Sequence, residues 1–348
     1  MDRALGCLLG VAVGDAAGAT LEGRAAQLVP LAAARAAMRM PGSSVPYLGN
    51  GQVTDDTELT ICLARGLVGH SPAAGFPLES VARQYSYWHD AGAFGGGQTC
   101  QIAFSTPVEP DRARWLPAEG PGGTAAPSLA ARMQARSLRW CGESKANGAL
   151  MRAAPLAVWG HRLPPAALAE CAALDASLSH PNTTCGDASA AYVIAVARLI
   201  AQPGDAAGAL AVACAWAEEH AGDEVQEWLL TDSQQPLESI HCLESAGFVK
   251  HAFTLAFHNL RRRTPFVEGI EQTVCRGGDT DTNAAIVGGM LGALWGAEAI
   301  PSWMSGPVLA YEGREDQGGG EPRPAELRAA VLPGLAEQLY QAAAAAEG

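Results

Sequence analysis

Apolar residues recur at the spacing of an α-helix along most of the chain. After residue 58, for example, small and apolar side chains fall on one helical face at Leu59, Cys62, Leu63, Gly66 and Leu67. Similar periodicity, together with Ala-rich composition, predicts helices over residues 3–14, 27–40, 78–90, 188–200, 205–220, 245–260, 265–275 and 325–346. Few runs are rich in β-branched residues. We therefore predict an all-α fold, a compact bundle of many helices with a central cleft.

Two stretches carry glycine at every fourth position. They are Gly6, Gly10, Gly14 and Gly18 near the start of the chain, and Gly288, Gly292 and Gly296 near its end. On a helix, residues four apart lie on the same face, so each stretch presents a stripe without side chains. Such a stripe allows another backbone to approach closely. The pattern predicts two tightly packed helices.

Two other segments lack helical periodicity. Residues 106–130 are rich in Pro, Gly and Ala and carry mixed charge, which predicts a surface insertion. Residues 313–324 are polar and rich in Gly and Pro, which predicts a linker to the C-terminal helix. Neither segment separates parts of the chain that differ in composition, so we expect residues 1–348 to form a single domain.

Composition narrows the functional classes. The chain has 348 residues, 48% of them hydrophobic, a net charge of −13 and a pI near 5.0, which disfavours a broad nucleic-acid-binding surface. Its nine cysteines form no CxxC pair, which suits a reducing compartment. We find no signal peptide and no apolar run of the ~18 residues that span a bilayer. We expect a cytoplasmic protein with no membrane partner.

Carboxylates and hydroxyls are concentrated in two short motifs. The first is QVTDDTE at residues 52–58, and the second is GGDTDTN at residues 277–283. Neighbouring aspartates repel each other, and a hard divalent cation favours such all-oxygen surroundings. Either motif alone is better explained as a capped helix N-terminus than as a metal site, and such motifs also occur in solvated turns. Together, each before an apolar helical run, they indicate two helix N-termini that could hold a two-metal cluster.

These motifs give the chain its resemblance to a known family. The pair resembles the metal-binding motifs of the ADP-ribosylglycohydrolase family, which includes the dinitrogenase reductase-activating glycohydrolase and the ADP-ribosyl-arginine and ADP-ribosyl-serine hydrolases. The resemblance extends to LGCLLGVAVGDAAGATLE at residues 5–22, NGALMR at residues 147–152 and SHPN at residues 179–182. The motifs occur in the family's order over most of the chain.

The resemblance implies a metal site and catalytic carboxylates. Two Mg²⁺ or Mn²⁺ ions would be bound by Thr54, Asp55, Asp56, Asp279, Asp281 and Thr282. Asp56 or Asp281 would act as general base. Glu22 would correspond to the family's acidic residue on a flexible loop beside the metals, although from the sequence alone it is equally a solvated loop residue.

The resemblance also implies substrate contacts. The ADP-ribose phosphates would be bound by Asn147, Gly148, His180 and Asn182, and the acceptor would be bordered by Gly96, Gly97 and Gln98. Each segment has a simpler interpretation. The glycine run can be a flexible turn, the Asn-Gly pair a turn with a cap, and a loop histidine a surface or capping residue. Many family members carry an aspartate in the glycine-rich loop, and this chain does not.

The implied activity is hydrolysis of the C1″ glycosidic bond between ADP-ribose and a modified acceptor. The expected partners are ADP-ribose and an ADP-ribosylated acceptor, and we expect a monomer. Two alternatives remain open at this stage. One is a non-catalytic ADP-ribose-binding or structural relative, and the other is a two-metal phosphohydrolase acting on a nucleotide.

Overall fold

The structure is a computed structural model that describes residues 1–22, 27–44, 47–108 and 127–345. These residues form sixteen α-helices: α1 Asp2–Ala19, α2 Leu31–Ala37, α3 Asp55–Leu67, α4 Leu78–Asp90, α5 Gln98–Phe104, α6 Leu129–Cys141, α7 Ala154–Trp159, α8 Pro165–Ser177, α9 Thr183–Ala201, α10 Ala206–His220, α11 Asp223–Leu230, α12 Val249–Arg262, α13 Phe266–Cys275, α14 Thr280–Trp295, α15 Ser302–Ala310 and α16 Leu332–Ala345. One small antiparallel ribbon pairs β1 Ser43–Ser44 with β2 Tyr47–Leu48. The all-α prediction is therefore confirmed.

Several predicted helices lie where the pattern places them, and others do not. The α4 helix has the predicted bounds, and α10, α12 and α13 agree to within a few residues. The prediction for residues 325–346 is wrong at its start, because two 3₁₀ turns, Ala325–Leu327 and Ala329–Val331, precede α16. The helix predicted over 27–40 is only the short α2, since Pro30 sets its start.

Helices α1 and α14 pack antiparallel along the two glycine stripes. A methyl group added at Gly10 would collide with the carbonyl oxygen of Gly288, and one added at Gly288 would collide with that of Gly10. Gly6 faces Gly292 in the same way. The predicted close packing is confirmed, and the two stripes are found to face each other. As a result the C-terminal end of α1 lies beside the N-terminal end of α14.

The longest helix, α9, runs through the core. Its Tyr192 hydroxyl donates a 2.9 Å hydrogen bond to the carbonyl oxygen of Ile286 in α14. By length and composition α9 could span a membrane, contrary to the sequence-based statement that no segment could. Within its most apolar 18-residue window, 83% is buried inside the fold, which is the burial expected of a core helix.

The two segments predicted to be irregular are tied to the fold. Of the predicted insertion 106–130, residues 109–126 lie outside the described residues. The bounds are wrong at the C-terminal end, because Leu129 begins α6 and is buried. The Arg132 guanidinium joins the flanks by donating to the carbonyl oxygens of Val108 (2.7 Å) and Pro127 (2.6 Å). The predicted linker 313–324 contains a 3₁₀ turn and ends in the buried Arg323.

The glycine packing can be tested with two single-methyl substitutions. Gly10→Ala places the methyl group against the Gly288 carbonyl and must push α1 from α14, which we expect to cost about 1–3 kcal/mol of unfolding free energy. Gly186→Ala is the matched control, because Gly186 lies buried inside α9 and an added methyl group finds its nearest neighbour at 3.7 Å. The control should be neutral or stabilising by up to about 1 kcal/mol. Urea unfolding measures both, and equal effects would contradict the proposed close packing.

Candidate active site

Three helix ends meet at the site. The last turn of α1 lies beside the first turn of α14, because these two helices are antiparallel. The first turn of α3 joins them through its hydrogen bonds to Asp15 of α1. The Thr280 hydroxyl joins the α14 end to the α1 end with a 2.9 Å hydrogen bond to the carbonyl oxygen of Gly18. Two successive glycines with positive φ, Gly277 (66°) and Gly278 (72°), turn the chain into α14. A side chain at Gly278 would also collide with the Cys242 carbonyl.

Asp15 fastens α1 to α3. It lies inside α1, because the helix predicted over residues 3–14 continues to Ala19. Its carboxylate accepts hydrogen bonds from the backbone N–H groups of Thr54 (3.0 Å) and Thr57 (3.1 Å) and from both hydroxyls (2.8 and 2.5 Å). These donors at the α3 N-terminus are those that a capping residue normally satisfies. Burial raises the pKa of Asp15 to about 6, and the four donors oppose this shift.

Around this junction lies a cluster of carboxylates. Asp55 and Asp56 come from the first turn of α3, and Asp279 and Asp281 come from the start of α14. Burial raises the pKa values of Asp55, Asp56 and Asp281 well above the usual range, and the neighbouring carboxylates raise them further. Glu22, just beyond α1, also has a pKa raised by burial, while a hydrogen bond with Asp281 lowers it. The structure thus brings both acidic motifs and Glu22 together.

The two predicted threonine ligands connect the parts of this cluster. The Thr282 side chain lies near Asp56 and lowers its pKa, so the start of α14 is close to the start of α3. The Thr54 hydroxyl, already bonded to Asp15, lies 3.2 Å from Asp56 Oδ2. A hydroxyl has one proton and two lone pairs, so donation to a carboxylate leaves a threonine oxygen able to bind a cation.

Some buried polar atoms at the site have no partner among the described residues. They are Asp56 Oδ1, Thr20 Oγ1 and both amide atoms of Asn283. Asn283 is fully buried directly after Thr282, and the sequence analysis did not single it out. An orphaned carboxylate oxygen amid repelling carboxylates fits a hard divalent cation or an ordered water. The described residues contain no ready-made cage of three or more acidic, histidine or cysteine side chains, so the metal ions stay a prediction.

Asn147 and Gly148 form a turn beside the acidic cluster. Asn147–Ala149 is a 3₁₀ turn, which agrees with the simpler interpretation of this Asn-Gly pair as a turn, and α7 begins only at Ala154. The Asn147 backbone N–H is not free, because it donates to the Gly247 carbonyl at 2.9 Å. Its side-chain amide donates to Asp279 Oδ2 at 2.8 Å. The structure therefore connects Asn147 to a predicted metal ligand.

His180 lies against the same turn. It is 1% exposed, and its Nδ1 is 2.9 Å from the Ser179 hydroxyl. A methyl group on Gly148 would lie only 2.8 Å from His180 Cε1, so glycine makes room for the ring. Burial and the neighbouring Arg152 guanidinium lower the pKa of His180 to about 3. A neutral imidazole can still donate a hydrogen bond, but it brings no positive charge to a phosphate.

Two further residues in this region have structural partners. Arg152, which the sequence analysis noted only within a motif, is fully buried and bonds Gly148 O (3.1 Å), Ser179 Oγ (2.8 Å) and Asp175 Oδ2 (3.0 Å). It thereby holds both turns in place. Asn182 is the N-cap of α9, accepting from the Thr184 N–H at 3.1 Å. Its predicted contact with substrate remains a prediction.

The glycine-rich loop, residues 92–97, closes one side of the site. Gly95 has φ 79°, and a methyl group there would lie 2.8 Å from Asp55 Oδ1. Gly96 rests on the indole of Trp88, and Gly97 has open space around it. Gln98 is exposed at the start of α5, a helix that the sequence analysis missed. The loop thus touches the acidic cluster through Gly95, one residue before the predicted contacts.

A buried centre of acidic side chains with raised pKa values, at the ends of packed helices, is a candidate catalytic or cation-binding site in this all-α fold. The model of the ADP-ribosylglycohydrolase family matches residues 1–346, and the chain belongs to this family. It is 27% identical over 311 residues to the ADP-ribosyl-dinitrogen reductase glycohydrolase of Rhodospirillum rubrum, covering 87% of this chain and 90% of that protein. A solved structure titled ADP-ribosylglycohydrolase-related protein complex shares the fold, with a TM-score of 0.68, 23% identity and 98% coverage of each chain.

The role of Asp15 as an anchor for α3 can be tested through its hydroxyl donors. Thr57→Val keeps the side-chain shape but removes the donor at 2.5 Å, which should lower the unfolding free energy by about 1.5–3 kcal/mol, as for a hydrogen bond to a charged group. Thr60→Val is the matched control, because that hydroxyl donates only to the Asp56 carbonyl within the same helix. We expect about 0.5–1.5 kcal/mol there. Denaturant titration compares them, and a larger loss in the control would contradict the role.

Proposed function

We propose that this protein is a metal-dependent hydrolase that releases ADP-ribose from a modified acceptor by cleaving the C1″ glycosidic bond. Family membership supports hydrolysis of this class of substrate. The observation that carries the proposal is the meeting of the two acidic motifs, which lie more than 200 residues apart in sequence, at one buried junction. A fold that only needed stability would gain nothing from grouping buried carboxylates, since their charges repel.

The metal ions would be held by the side chains predicted from the sequence. Two Mg²⁺ or Mn²⁺ ions would use Thr54, Asp55, Asp56, Asp279, Asp281 and Thr282. Bound there, the ions would supply charge to the cluster and lower the pKa of a water molecule. The carboxylate crowding and the orphaned Asp56 Oδ1 both support this fit.

The protein's own groups have separate tasks in this reaction. Positive charge develops on the ribose ring as the glycosidic bond breaks, and the nearby carboxylates stabilise it. Asp56 or Asp281 would act as the general base, through a carboxylate oxygen that is not bound to a cation. Asp281 is the more constrained of the two, since its Oδ1 accepts from the Thr282 N–H at 2.9 Å and Glu22 lies beside it.

The phosphates would lie at the turn formed by Gly148 and His180. His180 would donate a neutral hydrogen bond, and Gly148 would serve by leaving room for the His180 ring in this position. Asn147 would act at one remove, by orienting Asp279 through its side-chain amide.

Metal dependence follows directly from the charge of the cluster. Excess EDTA should abolish ADP-ribose release, and added Mg²⁺ or Mn²⁺ should restore it. Asp55→Ala should reduce kcat/KM by at least about 100-fold, equivalent to about 2.7 kcal/mol of lost transition-state stabilisation. Asp316→Ala is the control, because this carboxylate is exposed in a surface pair with Arg314 and should be dispensable. Full turnover in metal-free solution would contradict the mechanism.

Product analysis separates the three functional classes. Free ADP-ribose is the product of glycoside hydrolysis, whereas AMP with ribose phosphate would indicate a nucleotide phosphohydrolase. Binding of ADP-ribose without turnover, in the presence of Mg²⁺ or Mn²⁺, would indicate a non-catalytic relative.

The acceptor is best argued from the glycine-rich loop, which carries no carboxylate. A guanidinium leaving group would normally gain a charge-assisted contact from such a group. Glu22, in the acidic cluster, could reach the same space, but Asp15 and Asp90 offer little replacement. Asp15 is committed to the first turn of α3, and Asp90 has a 68% exposed side chain lying 3.4 Å from the His89 ring. Loss of one charge-assisted contact costs about 1.5–3 kcal/mol, or one to two factors of ten in rate.

We therefore expect ADP-ribosyl-arginine to be cleaved more slowly than a serine- or nucleobase-linked ADP-ribose. Gly97→Asp should raise the arginine-to-serine ratio of kcat/KM by about tenfold, because Gly97 has open space, has φ −60° and caps α5, a position that tolerates aspartate. Gly97→Asn is the uncharged control and should leave the ratio unchanged. Arginine as the clear favourite of the unmodified protein would contradict this argument.

A further inference from the structure

A buried ion pair connects the C-terminal part of the chain to α3. Arg323 Nε lies 2.7 Å from Glu58 Oε1, and Arg323 Nη2 lies 2.8 Å from Glu58 Oε2. The two side chains are only 4% and 1% exposed. This two-pronged geometry uses both carboxylate oxygens, so Glu58 is occupied and is not a further metal ligand.

The remaining nitrogen of Arg323 reaches the glycine-rich loop. Arg323 Nη1 donates to the carbonyl oxygens of Ala91 (3.1 Å) and Gly92 (2.5 Å), where α4 ends and the loop begins. Gly92 has φ 81°, a conformation that few other residues adopt. The guanidinium therefore fixes the start of the loop to the same carboxylate that it holds on α3.

The far part of the loop is linked to the same carboxylate, Glu58, through Trp88. Trp88 donates its indole N–H to Glu58 Oε2 at 2.8 Å, and Gly96 packs against the Trp88 ring. Gly95, between these contacts, faces Asp55 Oδ1. Since Asp55 and Glu58 lie one turn apart on α3, the position of the loop relative to Asp55 is set by Glu58 and its two partners.

Arg323 is itself held by its surroundings. The segment 311–328, here called the C-terminal strap, is anchored where the Tyr311 hydroxyl donates to Gln52 Oε1 (2.7 Å) and Gln52 Nε2 donates to the Glu321 carbonyl (2.9 Å). Arg328 Nη2 donates to the Arg323 carbonyl at 3.0 Å. The strap thus delivers one guanidinium to a defined position from the far end of the sequence.

We infer that Arg323 is a positioning residue for acceptor recognition: it fixes residues 92–97 against Asp55 and so sets the space available to the acceptor. This role rests on the proposed function, because it concerns the acceptor side of that reaction. Among the described residues, Arg323 donates to Glu58, Ala91 and Gly92 and makes no hydrogen bond or ion pair with Gly148, His180 or the candidate cation ligands. Its effect should therefore fall on the acceptor and not on ADP-ribose itself.

The test is Arg323→Lys, measured on the full chain with Mg²⁺ or Mn²⁺ present. A lysine keeps the charge but cannot bridge a carboxylate and two carbonyls in one plane. We expect kcat/KM to fall at least tenfold with serine-linked ADP-ribose and the ratio between acceptors to change several-fold. The dissociation constant of free ADP-ribose should change less than threefold. Arg314→Lys is the matched control, since this residue also belongs to the strap but its guanidinium pairs with the exposed Glu312 and Asp316 on the surface.

A second variant tests the same role without disturbing the buried ion pair, whose loss could prevent folding. Gly96→Ala leaves the ion pair intact, but its methyl group would collide with the Trp88 ring and displace the loop. It should reproduce the acceptor-specific loss. A parallel loss of ADP-ribose affinity, or an unchanged acceptor ratio in both variants, would overturn the positioning role. Absence of ADP-ribose release by the unmodified protein would instead overturn the proposed function, and this role with it.

Discussion

The close antiparallel packing of α1 and α14 is the constraint on which the site depends. Gly10 and Gly288 face each other so closely that neither tolerates a methyl group. This contact fixes how far α14 extends beyond α1, and thus brings Asp279 and Asp281 beside the end of α1. Asp15, the residue after Gly14, then accepts hydrogen bonds from the first turn of α3. Backbone contact without side chains, rather than a large apolar interface, sets the geometry of the acidic cluster.

That cluster is a concentrated source of electrostatic strain. Asp55, Asp56 and Asp281 are buried, and neighbouring carboxylates raise the free energy of the charged form of each. Helix N-termini offset part of this repulsion, because their partial positive charge favours carboxylates. Thr57 and Thr282 add donors. Under the proposed function, a divalent cation would offset much of the remainder, so metal binding would also stabilise the fold.

Sequence patterns predicted what depends on local spacing. The glycine stripes, the α4 bounds and the two acidic motifs all follow from periodicity or from adjacent residues. The roles of Asp15, Arg152 and Arg323 did not follow from such patterns, because each depends on a partner that is distant in sequence. Arg323 and Glu58, for instance, are separated by 265 residues. The link between the turn at 147–149 and Gly247 did not follow either, since the Asn147 N–H donates to a carbonyl group that is distant in sequence. The gaps in the described residues leave the predicted insertion untested over 109–126.

Two buried arginines give the site a division of labour. Arg152 holds the turns that carry Gly148 and His180, and its charge is balanced by Asp175. Arg323 holds the glycine-rich loop, and its charge is balanced by Glu58. Because each guanidinium is already paired, neither would neutralise the carboxylates between them. Each loop is thus fixed by an ion pair whose charges balance, and these arginines leave the negative charge of the acidic cluster in place. Under the proposed function, this arrangement lets the acceptor side change without altering the cation ligands.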